Sequence, residues 1–442
     1  MECAYWQAGV CRSCTWIDRP YPDQVAAKQR DAADLLTDAL GAAALGDLVW
    51  EAPVTSPTEG FRTKAKMVVG GTVDAPTFGI LGPDRRGVDL RDCPITDPSI
   101  RRALPALVTL VSRLRLEPYD VIARRGELKY VLVTSSLTGD LMVRFVLRSR
   151  RHLAQLRAAL PLLAELVPRA RVVTANIHPT HEAIVEGPEE VVLTPESTLS
   201  MPVGDVVLHL GPRSFSQTNT TVAAGLYRQV AAWATGGLRP LDEGVTVTTA
   251  PGTPDPHGLG PHPHDPDPHR ARPHGATPRS LWDLYCGIGG FALHAAVAGI
   301  PSVTGVEVSA DAVAAASRSA ADLGLDPAGV GFVAADATAW ALARPPAQHP
   351  DVVVVNPPRR GIGEDLARWL DGSGVPRVVY SSCHPASLAS DLARMPHLVP
   401  LRARLFDMFP HTAHAEVAVL LERDPGRSGA PTRPQTPRPT RP

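Results

Sequence analysis

Five short apolar runs follow one another between residues 280 and 383: SLWDLYC, SVTGVEV, GVGFVAA, DVVVVN and RVVYSSC. Each is largely uncharged and is followed by an Ala-rich stretch of helical character or by a turn. Continuous apolar runs of strand length bury both of their faces, and in chains of this rhythm that means a parallel sheet covered by helices on both sides. The expected fold class is therefore α/β. In such sheets ligands bind beyond the carboxyl ends of the strands, so the residues that finish each run are where chemistry is to be sought.

The rest of the chain divides around this block. At 442 residues the sequence exceeds what one core holds, and its 45 prolines are concentrated in two places, residues 235–280 and the tail from Asp424. Neither segment has the apolar periodicity that a core requires. The expected organisation is an N-terminal α+β domain over 1–234, a Pro/His-rich insertion or linker over 235–280, a Rossmann-like domain over 281–423 and a disordered tail over 424–442. His257, His262, His264, His269 and His274 fall in the linker, where low-complexity solvated chain is the simpler reading than a metal site. The opening MECAYWQAGVCRSCTW has no cationic segment leading into an apolar run, and no stretch approaches eighteen uncharged apolar residues. A cytoplasmic, monomeric protein with no membrane association is expected.

Charge is balanced overall, with 44 Lys plus Arg against 45 Asp plus Glu. Residues 101–171, however, hold fourteen basic residues and five acidic ones, interleaved with strand-like runs such as YVLVT and LMVRFVL. Segregation of this kind points to a nucleic-acid face, the alternative being ordinary solvated arginines.

The first run ends in Tyr285-Cys286-Gly287-Ile288-Gly289-Gly290, glycines that let the backbone approach a ligand at a helix N-terminus. The pattern departs from the dinucleotide G-x-G-x-x-G. Glu307 ends the second run and Asp336 follows the third, both able to accept hydrogen bonds from an adenosyl ligand. With no phosphate-binding lysine nearby, S-adenosylmethionine fits better than a nucleotide. Asn356-Pro357-Pro358 at the end of the fourth run fixes an extended, rigid backbone where a substrate base would lie. Cys383 leaves the fifth run toward a helix, a position that suits a nucleophile, although free cysteine is also a common buried residue. At the other end of the chain, Cys3, Cys11 and Cys14 form C-x7-C-x2-C, with Cys93 the remaining cysteine before the linker. No histidine occurs in the first ninety residues, so a mixed Cys/His zinc site is excluded there. An all-cysteine zinc site and an iron-sulfur cluster both remain open.

Taken together, YSSC, FDMFPHTAHAEV, NPPRRGIG, WDLYCGIGGF, SFSQTN, GFRTKAKMVV, RRGELKYVLVT and the cysteine set resemble the RNA uracil-C5 methyltransferase family, most closely its branch acting on uracil 747 of 23S ribosomal RNA. The resemblance runs from Met1 to about Glu422, interrupted by the Pro/His segment. It implies an S-adenosylmethionine-dependent methyltransferase domain, with Cys383 as nucleophile and Glu416 as the base that removes the C5 proton. It implies that Gln217, Tyr285, Glu307 and Asn356 hold the methyl donor, with Asp336 near the adenine, and that Cys3, Cys11, Cys14 and Cys93 hold a 4Fe-4S cluster. The implied partner is 23S ribosomal RNA. The family usually has Asn after its nucleophile, where this chain has His384. Distant relatives carry an RNA-binding barrel ahead of the cluster cysteines; with Cys3 so near the start of this chain, the 101–171 stretch is expected to grip RNA instead.

Two other readings fit parts of the pattern. The Asn-Pro-Pro turn also serves enzymes that methylate exocyclic amines in RNA or DNA, which need no thiol. A non-catalytic iron-sulfur RNA-binding module would retain the cysteine set without Cys383 and Glu416.

Overall fold

In the computed structural model, which describes residues 1–182, 184–236 and 278–424, two large sheets and one hairpin carry the chain. A short helix α1 (Ala4–Gln7) precedes α2 (Tyr21–Leu40). Pro20 and Pro22 set the start of α2, Asp23 sits in its first turn, and Gly41 ends it at φ +77°. Its buried positions, Val25, Lys28, Ala32 and Leu36, recur every three or four residues and so share one face. Strand β1 (Val49–Trp50) follows.

The central sheet comprises β2 (Lys64–Gly71), β3 (Pro76–Leu81), β4 (Gly87–Asp89), β5 (Leu128–Ser135), β6 (Leu141–Leu147), β7 (Ala170–Ile177) and β8 (Glu189–Val192), in the order β4-β3-β2-β5-β6-β7-β8. Helix α3 (Pro98–Arg113), capped by the Asp97 carboxylate on the Ser99 amide at 2.8 Å, covers one face together with α4 (Leu153–Ala158) and α5 (Leu160–Leu166). Only β6 and β7 run parallel, and α4 and α5 supply the crossover that parallel neighbours require.

After the hairpin β9 (Leu199–Val203) and β10 (Val206–Leu210) comes α6 (Thr220–Ala234). The five apolar runs are β11 (Ser280–Leu284), β12 (Ser302–Glu307), β13 (Val330–Ala334), β14 (Val352–Val355) and β15 (Arg377–Ser382), all parallel within one sheet. Between and after them lie α7 (Gly290–Val297), α8 (Ala310–Asp322), α9 (Ala337–Leu342), α10 (Gly363–Gly372) and α11 (Pro385–Leu392). Strands β16 (Leu398–Phe406) and β17 (Glu416–Arg423) complete the sheet in the order β1-β16-β17-β15-β14-β11-β12-β13.

The boundary expected at residue 234 does not follow the packing. Strand β1 pairs with β16, and α2 lies against α11 with Val25, Ala32 and Leu36 in the core of the second sheet. The hairpin β9–β10 and α6 join the core on the other face through Leu208, Val230 and Trp233. The segments around 21–54 and 199–234 therefore pack with the C-terminal layers, and the core that holds the hairpin and α6 also takes in Met142 and Val172 of the central sheet. The Pro/His segment, with its five histidines, falls almost wholly in residues 237–277, outside the described residues, as do residues 425–442.

The basic stretch also differs from expectation. Arg144 is buried between Glu190 (2.6 Å) and Glu186 (3.1 Å), Arg148 meets Glu127 at 2.9 Å, Arg150 meets Glu189 at 2.5 Å and Arg171 meets Asp140 at 2.9 Å. Arg148 and Arg171 thus meet acids of the stretch itself, while Glu186, Glu189 and Glu190, from β8 and its approach, offset part of its excess charge at Arg144 and Arg150. The stretch as a whole is not one cationic face.

Lys28 and Asp407 form an ion pair at 2.6 Å in which neither side chain has accessible surface, and the Lys28 ammonium also donates to the Phe409 carbonyl at 3.0 Å. Lys28→Met leaves Asp407 as a buried, unpaired charge and should lower unfolding free energy by about 3–5 kcal/mol in denaturant titration. Lys28→Met combined with Asp407→Leu should recover most of that loss; a single variant as stable as the parent would refute the role.

Candidate active site

The carboxyl ends of β11, β12, β14 and β15 open on one side of the sheet, and the loops that leave them are fixed by short-range contacts. The Glu307 carboxylate accepts from the Gly287 amide at 3.2 Å and the Ser309 amide at 3.0 Å, tying the glycine-rich turn to the end of β12. Gly290 must be glycine: a Cβ there would lie 2.6 Å from the Tyr227 ring of α6. Tyr285 takes the left-handed conformation at φ +66° and its hydroxyl stands 3.2 Å from Thr338 Oγ1. Asp336 caps α9 through the Ala339 amide at 2.8 Å, so part of its accepting capacity serves the helix. Asn356 is half-buried at the end of β14, before the two prolines.

The loop after those prolines is clamped from behind. Asp391 of α11 accepts from the Tyr380 hydroxyl at 2.7 Å and from the Ile362 amide at 2.9 Å. Gly361 sits at φ +83°, and a Cβ there would come 2.2 Å from the same carboxylate. The clamp holds the backbone that carries Arg359, whose exposed guanidinium lies within electrostatic reach of the half-buried Cys383 thiol. Burial pushes the Cys383 thiol up and the nearby Glu416 adds to that, while the Arg359 guanidinium pulls in the opposite direction. His384 caps α11 by accepting the Ser387 amide on Nδ1 at 3.2 Å, a duty an Asn side chain at this position would perform with its carbonyl oxygen.

Glu416 opens β17 and is completely buried. One of its oxygens accepts from the Ser381 hydroxyl at 2.5 Å; the other has no partner among the described residues. Burial, only partly offset by Ser381, pushes its carboxyl up to about 7. Asp283 in β11 is buried in the same way and pushed up to about 8, with one oxygen accepting from the Ala292 amide at 2.9 Å. Tyr227 stands where it feels both acids, and its hydroxyl is pushed up by burial and by their charge.

Gln217 is half-buried in the loop between β10 and α6. That loop is pinned by the Thr63 amide on the Thr218 carbonyl at 2.7 Å and by the Asn219 amide group on Ser56 Oγ at 2.7 Å, which bring it to the start of the central sheet. The structure thus brings Cys383, Glu416, Tyr285, Glu307 and Asn356 to one edge of one sheet. Sequence reasoning missed Arg359, Ser381, Asp283 and Tyr227. Arg359 stands in the quoted NPPRRGIG, but nothing in the sequence says which of its two arginines faces the thiol, and Tyr227 reads as an ordinary helix aromatic.

A family model described as tRNA (Uracil-5-)-methyltransferase matches residues 346–424, the part of the chain from before β14 through β17. The 23S rRNA (uracil(747)-C(5))-methyltransferase RlmC of Escherichia coli O139:H28 is 42% identical over 95% of this chain and 99% of its own length, and that of Shigella boydii serotype 4 gives the same figures. The chain belongs to the RNA uracil-C5 methyltransferase family. The crystal structure of Pyrococcus abyssi tRNA (uracil-54, C5)-methyltransferase in complex with S-adenosyl-L-homocysteine superposes with a TM-score of 0.68, at 21% identity over 93% of this chain and 86% of that one. The mixed α/β methyltransferase fold is thereby shown. Among the described residues no helix is long and apolar enough to cross a membrane.

In this family member Cys3, Cys11 and Cys14 and the distant Cys93 line one cavity of about 190 Å³ together with Tyr5, Arg62 and Lys66. All four are free thiols. Burial and then the charges of Cys93, Cys11 and Cys3 push Cys14 up to about 12. Among the described residues no three metal-binding side chains stand close enough to grip an ion. The donor set is nevertheless chemically suited to a thiolate-bound group, since mutual repulsion of thiolates is what a bound cation relieves.

The raised Glu416 carboxyl has a stability consequence. Folded chain holds this proton up to about pH 7, whereas unfolded chain releases it near 4.5. Stability present below pH 4.5 is therefore lost as pH rises through 7, by about 3 kcal/mol. Glu416→Gln should remove that decline. Denaturant titrations at pH 4.5 and 8 should show the variant gaining on the parent at the higher pH; parallel pH profiles would contradict it.

Proposed function

We propose that the chain transfers a methyl group from S-adenosylmethionine to C5 of uridine 747 in 23S ribosomal RNA, with Cys383 as nucleophile and Glu416 as base. The observation that carries the assignment of roles is the placement of a half-buried thiol, within the field of a guanidinium, beside a buried carboxyl whose second oxygen has no partner among the described residues. Methylation of an exocyclic amine would use neither.

Uracil C5 is too weak a nucleophile to attack a sulfonium methyl unaided. The Cys383 thiolate, favoured by Arg359, adds to C6, and the C5=C6 electron pair moves toward C5 and O4. C5 then takes the electrophilic methyl that S-adenosylmethionine would supply, the S–CH3 bond breaking with its electron pair left on sulfur in S-adenosylhomocysteine. Glu416 accepts the C5 proton, the double bond re-forms, and the C6–S bond breaks to return the thiolate. The proximity of Cys383 and Glu416 orders these events. While both are free, each disfavours ionisation of the other; once the thiolate charge has passed into the adduct, Glu416 ionises more readily, at the stage where a base is needed. Gln217, Tyr285, Glu307 and Asn356 would hold the methyl donor along the strand ends, and extrusion of the target base from its stack would bring C6 to Cys383.

The test separates the two roles. Glu416→Gln should allow addition and methylation but stall proton removal, accumulating a methylated protein-RNA adduct that survives denaturation. Cys383→Ala should give neither adduct nor product. Normal turnover by Glu416→Gln, or an adduct in Cys383→Ala, would overturn the assignment.

We also infer that Cys3, Cys11, Cys14 and Cys93 hold a 4Fe-4S cluster, which would join the N-terminal segment to the loop after β4. Anaerobically purified protein should be brown and carry iron and sulfide, and Cys14→Ser should lose both while Cys383→Ala keeps them. Zinc in place of iron would refute the inference.

A further inference from the structure

Arg-Arg-Gly occurs at 85–87, 124–126 and 359–361. The third copy serves the thiol; the first two have no part in the chemistry described above. Residues 82–86 form the tip between β3 and β4, and residues 120–126 form the loop before β5. Each tip is fixed by an aspartate that accepts from backbone amides just ahead of or within its arginine pair. Asp84 accepts from the Arg86 amide at 3.0 Å, and Asp120 from the Ile122 and Ala123 amides at 2.8 and 2.9 Å. In each, the first arginine takes the left-handed conformation, Arg85 at φ +61° and Arg124 at φ +55°, where glycine or asparagine would be less strained. Strain of this kind persists at sites that use it.

The two loops meet. Arg86 of the first helps hold the Asp120 carboxyl of the second below its ordinary range, after the Ala123 and Ile122 amides. All four arginines are exposed, and Ile122 beside them is 60% exposed. Whereas Arg115, Arg144, Arg148, Arg150 and Arg171 meet carboxylates, none of these four does so among the described residues. The root of the second loop is stiffened by Lys129 over the Tyr119 ring at 4.8 Å and by Tyr119 Oη against His181 Nδ1 at 2.9 Å. Guanidinium pairs carried on two neighbouring fixed turns, none of them in an ion pair among the described residues, are suited to the phosphates of a folded polyanion, which fix register without reading sequence.

We propose that Arg85, Arg86, Arg124 and Arg125 form a phosphate-binding clamp for the substrate RNA on the central sheet, away from the reacting uridine. The clamp rests on the reading of the chain as an RNA methyltransferase and adds where the RNA body is held. The test uses the full chain and a 23S ribosomal RNA fragment containing uridine 747. Arg85→Gly, Arg86→Ala, Arg124→Gly and Arg125→Ala together remove the charges while preserving both turns. The slope of log affinity against log salt should fall by about 3, the share of four phosphate contacts. The methylation defect should reside in KM, by about tenfold or more, rather than in kcat, and the thermal midpoint should not fall. A folded variant with the parent's salt slope and KM would overturn the clamp, as would a defect confined to thermal stability. Should the parent itself bind this RNA but add no methyl group, the activity assignment fails instead, and the salt slope still decides the clamp.

Discussion

The site depends on one reversal of strand direction. Strands β11 to β15 run parallel, and β17 enters antiparallel between β15 and β16 with Ser382 opposite Val417. The first residue of β17 is thereby placed at the same edge as the last residues of β15, the edge where an α/β sheet opens to ligands. Had β17 run parallel, Glu416 would lie at the far end of the sheet from Cys383. Register matters as much as direction, since a slip by one residue would turn Glu416 to the opposite face. Ser381, paired with Ala418, supplies the carboxyl's one hydrogen bond among the described residues.

Burying a carboxyl among β-sheet valines is unfavourable, and the structure compensates by restraint nearby. The segment between β16 and β17 is held by the N-terminal helix α2: Lys28 pairs with Asp407, and Gln24 accepts from the His411 amide at 2.8 Å. His411, at φ +65°, also has Nε2 2.8 Å from the Thr58 carbonyl. The approach to Glu416 is thus fixed by residues nearly four hundred positions earlier. Cys14 lies close to this same anchor, because the Trp16 amide donates to the His411 carbonyl at 2.8 Å. The cysteine cavity and the catalytic edge are therefore linked through a few backbone bonds, without any shared chemistry.

The parallel sheet was legible because uninterrupted runs such as DVVVVN can be satisfied in few ways, and all five runs became neighbouring strands. The antiparallel entry of EVAVLLER was not, because an apolar run records burial and carries no direction. The assignments of Cys383 and Glu416 came from family resemblance; position alone singled out the thiol and gave no reason to choose Glu416. Lys28 reads as a solvated helix residue until Asp407 arrives from the other end of the chain. The 101–171 stretch was legible only in part for a related reason: Glu186, Glu189 and Glu190 lie outside the counted window, and folding sets them against Arg144 and Arg150. Composition sums charges along the chain, while electrostatics acts across strands.

What remains around this edge of the sheet is a balance among four poorly solvated groups, Asp283, Glu416, Tyr227 and Cys383, and the exposed guanidinium of Arg359. Asp283 and Glu416 are both pushed toward neutrality by burial, and Tyr227 between them is held protonated. With few ionised neighbours, the local field on Cys383 is governed by Glu416 and Arg359. Arg359 is held by the clamp at Asp391 and by its own carbonyl, which accepts from the Ser387 hydroxyl at 2.7 Å, and that serine in turn packs against the capping ring of His384. The guanidinium that favours the thiolate and the helix that follows the thiol are therefore one mechanical unit. A displacement of α11 would weaken the charge support and move the Cys383 thiol together, so the helix and its clamp bear on how readily that thiol ionises.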